Sequence, residues 1–157
     1  DFVREESDLT LSNLDEIVDK TLPLLKMKWR SYKLDLHLDS LSGLVRVQPQ
    51  LISQVVYNLI QNACQAMAPG QKMSIRTKVI GSKAQLIVED EGVGIPENLQ
   101  SSIFKPFFTT KAMGEGTGLG LSLSKQIAER FNGRLYFKSK VGQGTQFFLE
   151  LPLAGDQ

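Results

Sequence analysis

Residues 72–94 have the sequence KMSIRTKVIGSKAQLIVEDEGVG, and this stretch indicates the class of fold. Two apolar segments, at about 72–80 and 83–90, flank the turn-forming pair Gly81 and Ser82, a pattern typical of a β-hairpin. A hairpin pairs its strands antiparallel, whereas a parallel doubly wound sheet needs strands that alternate with helices. The stretch therefore favours an α+β fold over a doubly wound α/β fold.

Three helices are predicted from apolar residues that recur at steps of three and four. The first covers about 13–29. It is expected to begin at Ser12, which fits a capping-box pattern, and to kink or restart at Pro23, because proline removes a backbone donor. The second covers residues 49–67, with a proline in its first turn, and the third covers about 119–131.

Further strands are predicted between the first and second helices and after the third helix along the chain. In residues 34–38 three leucines alternate with polar residues, which predicts a strand with its leucines on a buried face, paired with residues 44–47 across a turn at 42–43. Two last strands are predicted at about 134–139 and 145–151. Together with the central hairpin, these elements predict a two-layer α+β sandwich in which one mixed, mostly antiparallel sheet is covered on one face by three helices.

The composition is that of one compact domain. With 157 residues, 41% hydrophobic and 22% charged, the chain has the length and apolar content for a single core. Its 18 Lys and Arg against 17 Asp and Glu leave a net charge of +1, so we expect no nucleic-acid partner. Cys64 is the only cysteine, so neither an internal disulfide nor a structural zinc site is predicted, and no apolar run approaches the roughly 20 residues that cross a bilayer. These features predict a cytoplasmic location.

The second predicted helix has an unusual polar face. Opposite its apolar residues lies a stripe without charges, formed by Gln54, Tyr57, Asn58, Gln61, Asn62 and Gln65. Solvated helix faces usually carry Lys and Glu, so this amide-rich stripe indicates groups directed at a specific target. An amide oxygen is a neutral hard ligand that can complete a Mg²⁺ shell made mostly of phosphate oxygens and water. The alternative is that these amides cap backbone groups or contact solvent.

Two glycine-rich segments are candidates for a nucleotide site. Asp90 is followed by Gly92 and Gly94 at the end of an apolar strand, where a carboxylate beside a sharp turn can accept a hydrogen bond from an exocyclic amine such as that of adenine. An ordinary turn is the alternative. Residues 114–120 carry four glycines directly before the third helix, where backbone N–H groups form an anion site. This segment follows no strand and lacks the lysine of a Walker loop, so it fits neither a Rossmann fold nor a P-loop.

Four segments in this order resemble the sequence boxes of one family. They are residues 58–63 (NLIQNA), 90–96 (DEGVGIP), 103–111 (IFKPFFTTK) and 116–121 (GTGLGL). They look like the N, first glycine, F and second glycine boxes of the catalytic, ATP-binding domain of bacterial sensor histidine kinases, in the GHKL or Bergerat-fold superfamily. The third box, followed by a short lid, is most similar to the nitrogen- and oxygen-sensing kinases of the NtrB and FixL type. The resemblance extends from about residue 10 to Pro152.

The resemblance implies that the chain binds Mg-ATP. Asn62 would ligate the Mg²⁺ ion that bridges the phosphates, and Asn58 would support that metal site or the phosphates. Gln65 departs from the family pattern, in which many members carry Lys or Arg to contact a phosphate, and Lys111 is the candidate substitute for that charge. The predicted catalytic residues are therefore Asn58, Asn62 and Lys111.

The resemblance also implies an adenine pocket under a lid. Asp90 would accept the adenine amino proton, and Gly92 and Gly94 would leave room for the base. The hydroxyl of Thr145 would help to hold the aspartate and its water, and residues 104–118 would form the lid. The predicted nucleotide contacts further include Ile95, Phe104, Thr109, Thr110, Gly116, Thr117, Gly118, Leu119, Gly120 and Leu121.

Residue 58 separates the branches of this superfamily. In the ATPase branch, which includes gyrase B, MutL and heat-shock chaperones, a glutamate stands where this chain has Asn58. An amide cannot take a proton, whereas a histidine acceptor, with a pKa of about 6.5, is already neutral at pH 7 and needs little help from a base. The resemblance therefore favours phosphorylation of histidine in two-component signal transduction. The alternatives are a GHKL-type ATPase and a nucleotide-binding module without kinase activity.

The histidine that would accept the phosphoryl group is expected outside this chain. The family carries it on a helical dimerisation domain, in a motif that this chain lacks, and His37 lies on the polar side of a predicted strand, where a surface role is expected. Residues 1–9 would be the end of the linker from that domain, residues 10–153 the ATP-binding domain, and residues 154–157 a tail. The implied partners are the dimerisation domain, a response regulator and a second copy of the full-length protein, whose upstream part could be anchored in the inner membrane.

Overall fold

The computed structural model describes residues 8–108 and 120–156. The strands of this part are β1 (Thr10–Asn13), β2 (Lys33–Asp39), β3 (Leu44–Val47), β4 (Lys72–Ile80), β5 (Lys83–Asp90), β6 (Arg134–Lys140) and β7 (Gly144–Pro152). Its α-helices are α1 (Leu14–Thr21), α2 (Lys26–Trp29), α3 (Pro49–Ala66) and α4 (Gly120–Arg130). Short 3₁₀ helices cover Leu22–Leu25, Glu97–Ser102 and Ala154–Asp156.

Five of the strands form one sheet in the order β2-β4-β5-β7-β6. β2 runs parallel to β4, and the other neighbouring pairs are antiparallel, which confirms the predicted mixed, mostly antiparallel sheet. The central hairpin has the predicted bounds, with Ile80 paired to Lys83 beside its turn. Helices α3 and α4 pack on the sheet and α1 packs against α3, as expected for a two-layer α+β sandwich.

Helix α3 supplies the centre of the core. It begins at Pro49, where the missing N–H would have had no partner in any case. Ile52, Leu59 and Ile60 are at most 1% exposed and lie over a sheet in which Leu86 is also fully buried. Burial of one such side chain contributes about 1.5–3 kcal/mol, so the orientation of α3 is strongly fixed and its amide-bearing face is held in place. Across the two described ranges, no helix combines the length and the hydropathy needed to cross a membrane.

The first predicted helix is interrupted near Pro23. Helix α1 ends at Thr21, a 3₁₀ turn that contains Pro23 follows, and α2 begins at Lys26. Proline cannot donate the backbone hydrogen bond that a continuous helix needs, so the predicted restart is confirmed. The indole N–H of Trp29 donates to the carbonyl of Leu22 over 2.9 Å and holds α2 against this turn.

The beginning of α1 differs from the prediction at Ser12. The N-cap is Asn13, whose Oδ1 accepts hydrogen bonds from the backbone N–H groups of Asp15 (2.9 Å) and Glu16 (3.3 Å). Ser12 lies in β1 and pairs with Val45 of β3. This pairing keeps Ser12 in extended backbone, so the helix cap falls one residue later than predicted.

The predicted hairpin of residues 34–38 with residues 44–47 is wrong. β2 pairs with β4, and β3 pairs with β1 in a separate two-stranded sheet. The reason lies at Ser40, whose N–H and hydroxyl both donate to the buried carboxylate of Asp15, over 3.1 and 2.6 Å. These bonds turn the chain toward α1, away from β2. Because β2 is an edge strand, Leu36 is 39% exposed rather than buried as predicted.

Candidate functional site

Three polar side chains form a row at one end of the sheet, on the side that carries the helices. Asp90, the last residue of β5, lies in register with Thr145 on β7, and Thr145 lies in register with Ser139 on β6. Residues in register on antiparallel strands point to the same side of a sheet. The row therefore crosses three strands at the point where the loop of residues 91–95 leaves β5.

Asp90 is a buried carboxylate held by backbone N–H groups. The residue is 5% exposed, and its Oδ1 accepts a hydrogen bond from the N–H of Gly92 over 2.8 Å. Desolvation by burial raises the pKa of Asp90 from 3.8 to about 6, although hydrogen bonds from the backbone of Gly92 and Thr145 act in the opposite direction. The site thus offers a hydrogen-bond acceptor whose charge changes just below neutral pH.

The loop after β5 is packed between α3 and the β6–β7 turn. The N–H of Val93 donates to the carbonyl of Ala66 in the last turn of α3 (3.1 Å), and the N–H of Gly142 donates to the carbonyl of Val93 (3.0 Å). A Cβ atom at Gly92 would overlap the carbonyl oxygen of Ala66, and Gly94 has a φ of +76°, which side chains disfavour. The packing and the conformation of the backbone therefore favour glycine at both positions. The role of these glycines in leaving room for the adenine base stays a prediction.

Asn58 joins helix α3 to helix α4. Its Nδ2 donates to the carbonyl oxygen of Gly120 (3.3 Å) and to the hydroxyl of Ser124 (3.2 Å). Ser124 is fully buried, so the contact lies inside the helix pair. The sequence did not predict this packing role. Since the amide nitrogen is bound to α4, the amide oxygen is the atom that would have to serve the predicted metal or phosphate role.

Asn62 lies one turn after Asn58 on the same side of α3, as predicted. It is half-buried, whereas Gln65, in the last turn, is exposed. Residues three and four apart on a helix are neighbours on its surface, so the structure brings these amides together. Their contacts to a metal ion or to phosphates stay predictions.

Phe104 is held by α4 and β6. Its ring lies edge-on to Phe137, with centroids 5.8 Å apart, and the Nζ of Lys125 lies 5.1 Å from its centroid. These contacts account for Phe104 as a packing residue, and its contact with a nucleotide stays a prediction. Leu121, in the first turn of α4, is half-buried. The other predicted contacts, Thr109, Thr110, Lys111, Gly116, Thr117, Gly118 and Leu119, lie outside the described residues.

Ser139 is a site residue that the sequence interpretation missed. Its Oγ accepts a hydrogen bond from the N–H of Ile95 (2.8 Å) and lies 3.1 Å from the carbonyl oxygen of Gly144 and 2.7 Å from the Oγ1 of Thr145. The available signal was the alternation in β6, where this polar residue occupies an inward-facing series that is otherwise apolar. A polar side chain in such a series needs partners, and here they belong to the predicted site.

Thr145 meets Asp90 through its backbone rather than its hydroxyl. The resemblance implies that the hydroxyl helps to hold the aspartate and its water. In the structure the hydroxyl is bound to Ser139, and the backbone of Thr145 makes the hydrogen bond to the Asp90 carboxylate. Thr145 therefore links Asp90 to Ser139 and is itself 6% exposed.

Comparisons with known proteins point to the same family as the sequence boxes. A family model described as histidine kinase-, DNA gyrase B- and HSP90-like ATPase matches residues 47–155. The signal transduction histidine-protein kinase AtoS of Escherichia coli is 38% identical over 144 residues, which are 90% of this chain and 23% of AtoS. The chain spans less than a third of the length of such curated relatives.

Solved structures show the same architecture. The catalytic domain of histidine kinase ThkA, in a nucleotide-free form, is 33% identical with a TM-score of 0.82, over 92% of this chain and 95% of that domain. ThkA in complex with the response regulator protein TrrA is 30% identical with a TM-score of 0.78, over 93% of this chain and 42% of that chain. The sheet order and helix layer described above are therefore those of a histidine kinase catalytic domain, as the resemblance predicted.

Proposed function

Because the chain belongs to the histidine kinase-, DNA gyrase B- and HSP90-like ATPase family, we propose that it is the catalytic module of a sensor histidine kinase. The module binds Mg-ATP and transfers the γ-phosphoryl group to a histidine on a separate dimerisation domain. ATP binding is the shared property of this family, so the proposal concerns what the bound ATP is used for. The relatives named above are histidine kinases, which supports transfer to histidine over hydrolysis.

The observation that carries the proposal is the contact of Asn58 with α4. Its Nδ2 donates to the carbonyl of Gly120 and to Ser124, at the position where the ATPase branch has a glutamate. A carboxylate has no proton to donate to a carbonyl and would repel that oxygen. The packing of α4 on α3 therefore selects an amide here, and an amide cannot act as a general base for water.

Asp90 supports an adenine nucleotide as the bound species. Its buried carboxylate is an acceptor, and adenine carries an exocyclic amine that donates, whereas guanine carries a carbonyl oxygen at the same ring position. A buried acceptor that is left unpaired costs free energy, so the site favours the base that supplies a donor. A hydrogen bond from the adenine amine to the Asp90 carboxylate would account for a preference for ATP over GTP.

The residues of α3 fit a Mg²⁺ ion that binds together with the nucleotide, not one that the protein alone would hold. Asn62 supplies a neutral amide oxygen, and within residues 8–108 and 120–156 no group of three or more His, Cys, Asp and Glu side chains is placed to hold a metal. One amide oxygen suits a Mg²⁺ ion whose other ligands are phosphate oxygens and water. When bound, the ion would neutralise phosphate charge during transfer.

The acceptor histidine belongs to another domain under this proposal. His37 is exposed on the edge strand β2, where its Nε2 lies 2.8 Å from the Oδ1 of Asp35, which fits a surface role. The full-length protein would act as a homodimer in the cytoplasm or at the inner membrane and would pass its phosphoryl group to a response regulator. The complex of ThkA with TrrA supports a partner of that kind.

The proposal is tested by titrating ATP into the chain by calorimetry, with and without Mg²⁺, while released phosphate is assayed in the same samples. We expect Mg²⁺-dependent binding with negligible phosphate release, and loss of the Mg²⁺ dependence in Asn62→Ala. Gln54→Ala, an exposed member of the same polar stripe, is the matched control and should bind as the wild type does.

The full-length protein should then form an acid-labile, base-stable phosphoryl adduct, as expected of phosphohistidine. Steady phosphate release without such an adduct would identify an ATPase and overturn the proposal. Failure of the wild-type chain to bind any nucleotide would identify a module without kinase activity.

A further inference from the structure

The hydroxyl of Ser139 has its hydrogen-bonding capacity fully used. A serine hydroxyl has one proton to donate and two lone pairs to accept. One lone pair accepts the N–H of Ile95 over 2.8 Å. The remaining neighbours are the carbonyl oxygen of Gly144 at 3.1 Å and the Oγ1 of Thr145 at 2.7 Å.

The direction of the bond between Ser139 and Thr145 follows from these neighbours. A carbonyl oxygen only accepts, so the proton of Ser139 serves Gly144. Thr145 then donates its own hydroxyl proton to the second lone pair of Ser139. This is the one arrangement in which all three contacts of Ser139 are hydrogen bonds, and it places the Thr145 proton on the side away from Asp90.

The hydroxyl of Thr145 therefore presents lone pairs, and no proton, beside Asp90. Thr145 and Asp90 are direct cross-strand neighbours, so a ligand at this end of the sheet meets two acceptors: a carboxylate and a hydroxyl oxygen. A purine with an amine at its 6-position satisfies such a pair. A purine with a carbonyl oxygen there would place a third acceptor against the first two, because its nearest proton lies on the neighbouring ring nitrogen N1 and not at the 6-position.

We propose that Ser139 is a positioning residue that sets the purine specificity of the site by fixing the direction of the Thr145 hydroxyl. The inference rests on the proposed function, because it concerns the base of the same nucleotide. Ser139 acts from the edge strand β6, through Thr145, and does not need to contact the base. Its removal would free the Thr145 proton to turn toward the pocket and to donate to a 6-carbonyl group.

A second group of contacts provides a control for a purely structural effect. The Nε2 of Gln100 donates to the carbonyl of Ile95 (3.0 Å) and to the carbonyl of Ser139 (3.3 Å), so Gln100 holds the same loop without touching either hydroxyl. Gln100→Ala should loosen the loop and leave the direction of the Thr145 hydroxyl unchanged. Its effect on nucleotide binding should be the same for every purine.

The test measures dissociation constants for ATP, GTP and inosine triphosphate with the wild-type chain and three variants. For Ser139→Ala we expect ATP affinity to fall about tenfold while GTP and inosine triphosphate bind as well as before or better, so that the preference for ATP falls at least about tenfold. Ser139→Thr retains a hydroxyl and should retain most of the preference. Gln100→Ala should weaken all three nucleotides by a similar factor.

Equal losses for all three nucleotides in Ser139→Ala would overturn the proposal, as would a wild-type chain that binds ATP and GTP equally well. Failure of the wild-type chain to bind ATP at all would instead count against the proposed function. Circular dichroism and thermal unfolding check that each variant is folded. If Ser139→Ala does not fold, Ser139→Cys, which keeps the side-chain volume with a weak hydrogen-bonding group, gives the same comparison, and an unchanged preference for ATP in that variant overturns the proposal.

Discussion

The side-chain Nδ2 of Asn58 donates to the backbone carbonyl of Gly120 across 3.3 Å, so the residue predicted to separate kinases from ATPases also attaches α4 to α3. The resemblance implies that Asn58 supports the metal site or the phosphates, and that role stays a prediction. Its amide nitrogen is part of the packing between two helices. A change of this residue toward the ATPase side chain would therefore disturb the fold before it could add a base.

Asn58→Asp should lower the free energy of unfolding without producing an ATPase. The carboxylate would face the carbonyl of Gly120 as a second acceptor, and the loss of one partly buried hydrogen bond with an unpaired group left behind costs about 1–3 kcal/mol. Denaturant unfolding measures the change, and a phosphate-release assay should stay at background. Gln54→Glu, on an exposed position of the same helix, should change stability by less than about 0.5 kcal/mol. Steady phosphate release from Asn58→Asp at wild-type stability would show that the packing of α4 on α3 does not require an amide at this position.

Asp90→Asn should stabilise the nucleotide-free chain at pH 7 to 8. The pKa of Asp90 is raised by burial from 3.8 to about 6, so between these values the folded state holds a proton that the unfolded state has lost. The free energy of unfolding of the wild type therefore falls as pH rises from about 4 to about 6 and is level above that. A shift of this size corresponds to about 2–3 kcal/mol, which the amide avoids.

Urea unfolding from pH 4 to pH 8 measures this difference. The gap between Asp90→Asn and the wild type should be small at pH 4 and reach its full value above pH 6. Glu129→Gln, which neutralises an exposed carboxylate on α4, is the control and should show no such gain. A gap that does not depend on pH would mean that the carboxylate is not the source of the cost.

Nucleotide affinity should depend on pH in the opposite sense. The ionised form of Asp90 is the stronger acceptor for the adenine amine, so ATP affinity should weaken by up to about tenfold for each pH unit below about 6. Calorimetric titrations at pH 5, 6 and 7.5 give the dependence, and proton release should accompany binding at pH 5. The phosphates of ATP titrate in the same range, so Asp90→Asn serves as the reference. A wild-type profile parallel to that reference would remove Asp90 from base recognition.

Local sequence patterns predicted where most strands of the sheet begin and end, because the bounds of a strand depend mainly on the residues within and beside it. The hairpin β4–β5 and the last two strands were predicted within about a residue of their ends, and the restart at Pro23 was confirmed. These features depend on turn residues, alternation and the missing donor of proline, which a short window of sequence contains. The amide face of α3 was visible for the same reason, because its six members recur at helical spacing.

Contacts between distant residues could not be predicted in this way. β2 pairs with β4 and β3 pairs with β1, and this separation depends on the carboxylate of Asp15, which accepts a hydrogen bond from Ser40, 25 residues later in the chain. The second role of Asn58 depends on Ser124, 66 residues away, and the role of Ser139 depends on the register of three strands. No periodicity encodes such pairs. Sequence patterns therefore predicted the sequence boxes of the site but not Ser124 and Ser139, whose hydrogen bonds hold site residues in position.

Asp15→Ala should be among the most destabilising single changes in this chain. Its buried carboxylate accepts hydrogen bonds from the N–H and the hydroxyl of Ser40 and from the hydroxyl of Thr77. Removal would leave several buried donors without an acceptor, at a combined cost of about 3–5 kcal/mol. Thermal unfolding measures the loss, and Asp19→Ala, on an exposed position of α1, is the matched control with little expected effect. Wild-type stability in Asp15→Ala would mean that this network does not direct β2 and β3 apart.

Gly92→Ala should strongly weaken ATP binding by moving the backbone of the loop that follows β5. The new Cβ would overlap the carbonyl oxygen of Ala66, which cannot move without disturbing the end of α3, and it would lie 2.8 Å from the Oδ1 of Asp90. The loop must then shift, and the N–H of residue 92 would leave the carboxylate that it now holds. We expect at least about a hundredfold loss of ATP affinity, since both the position and the charge of Asp90 depend on that bond. Gly155→Ala is the control, because nothing lies within 4 Å of a Cβ there. Normal ATP affinity in Gly92→Ala, with Gly155→Ala unaffected, would mean that the base does not bind against this loop.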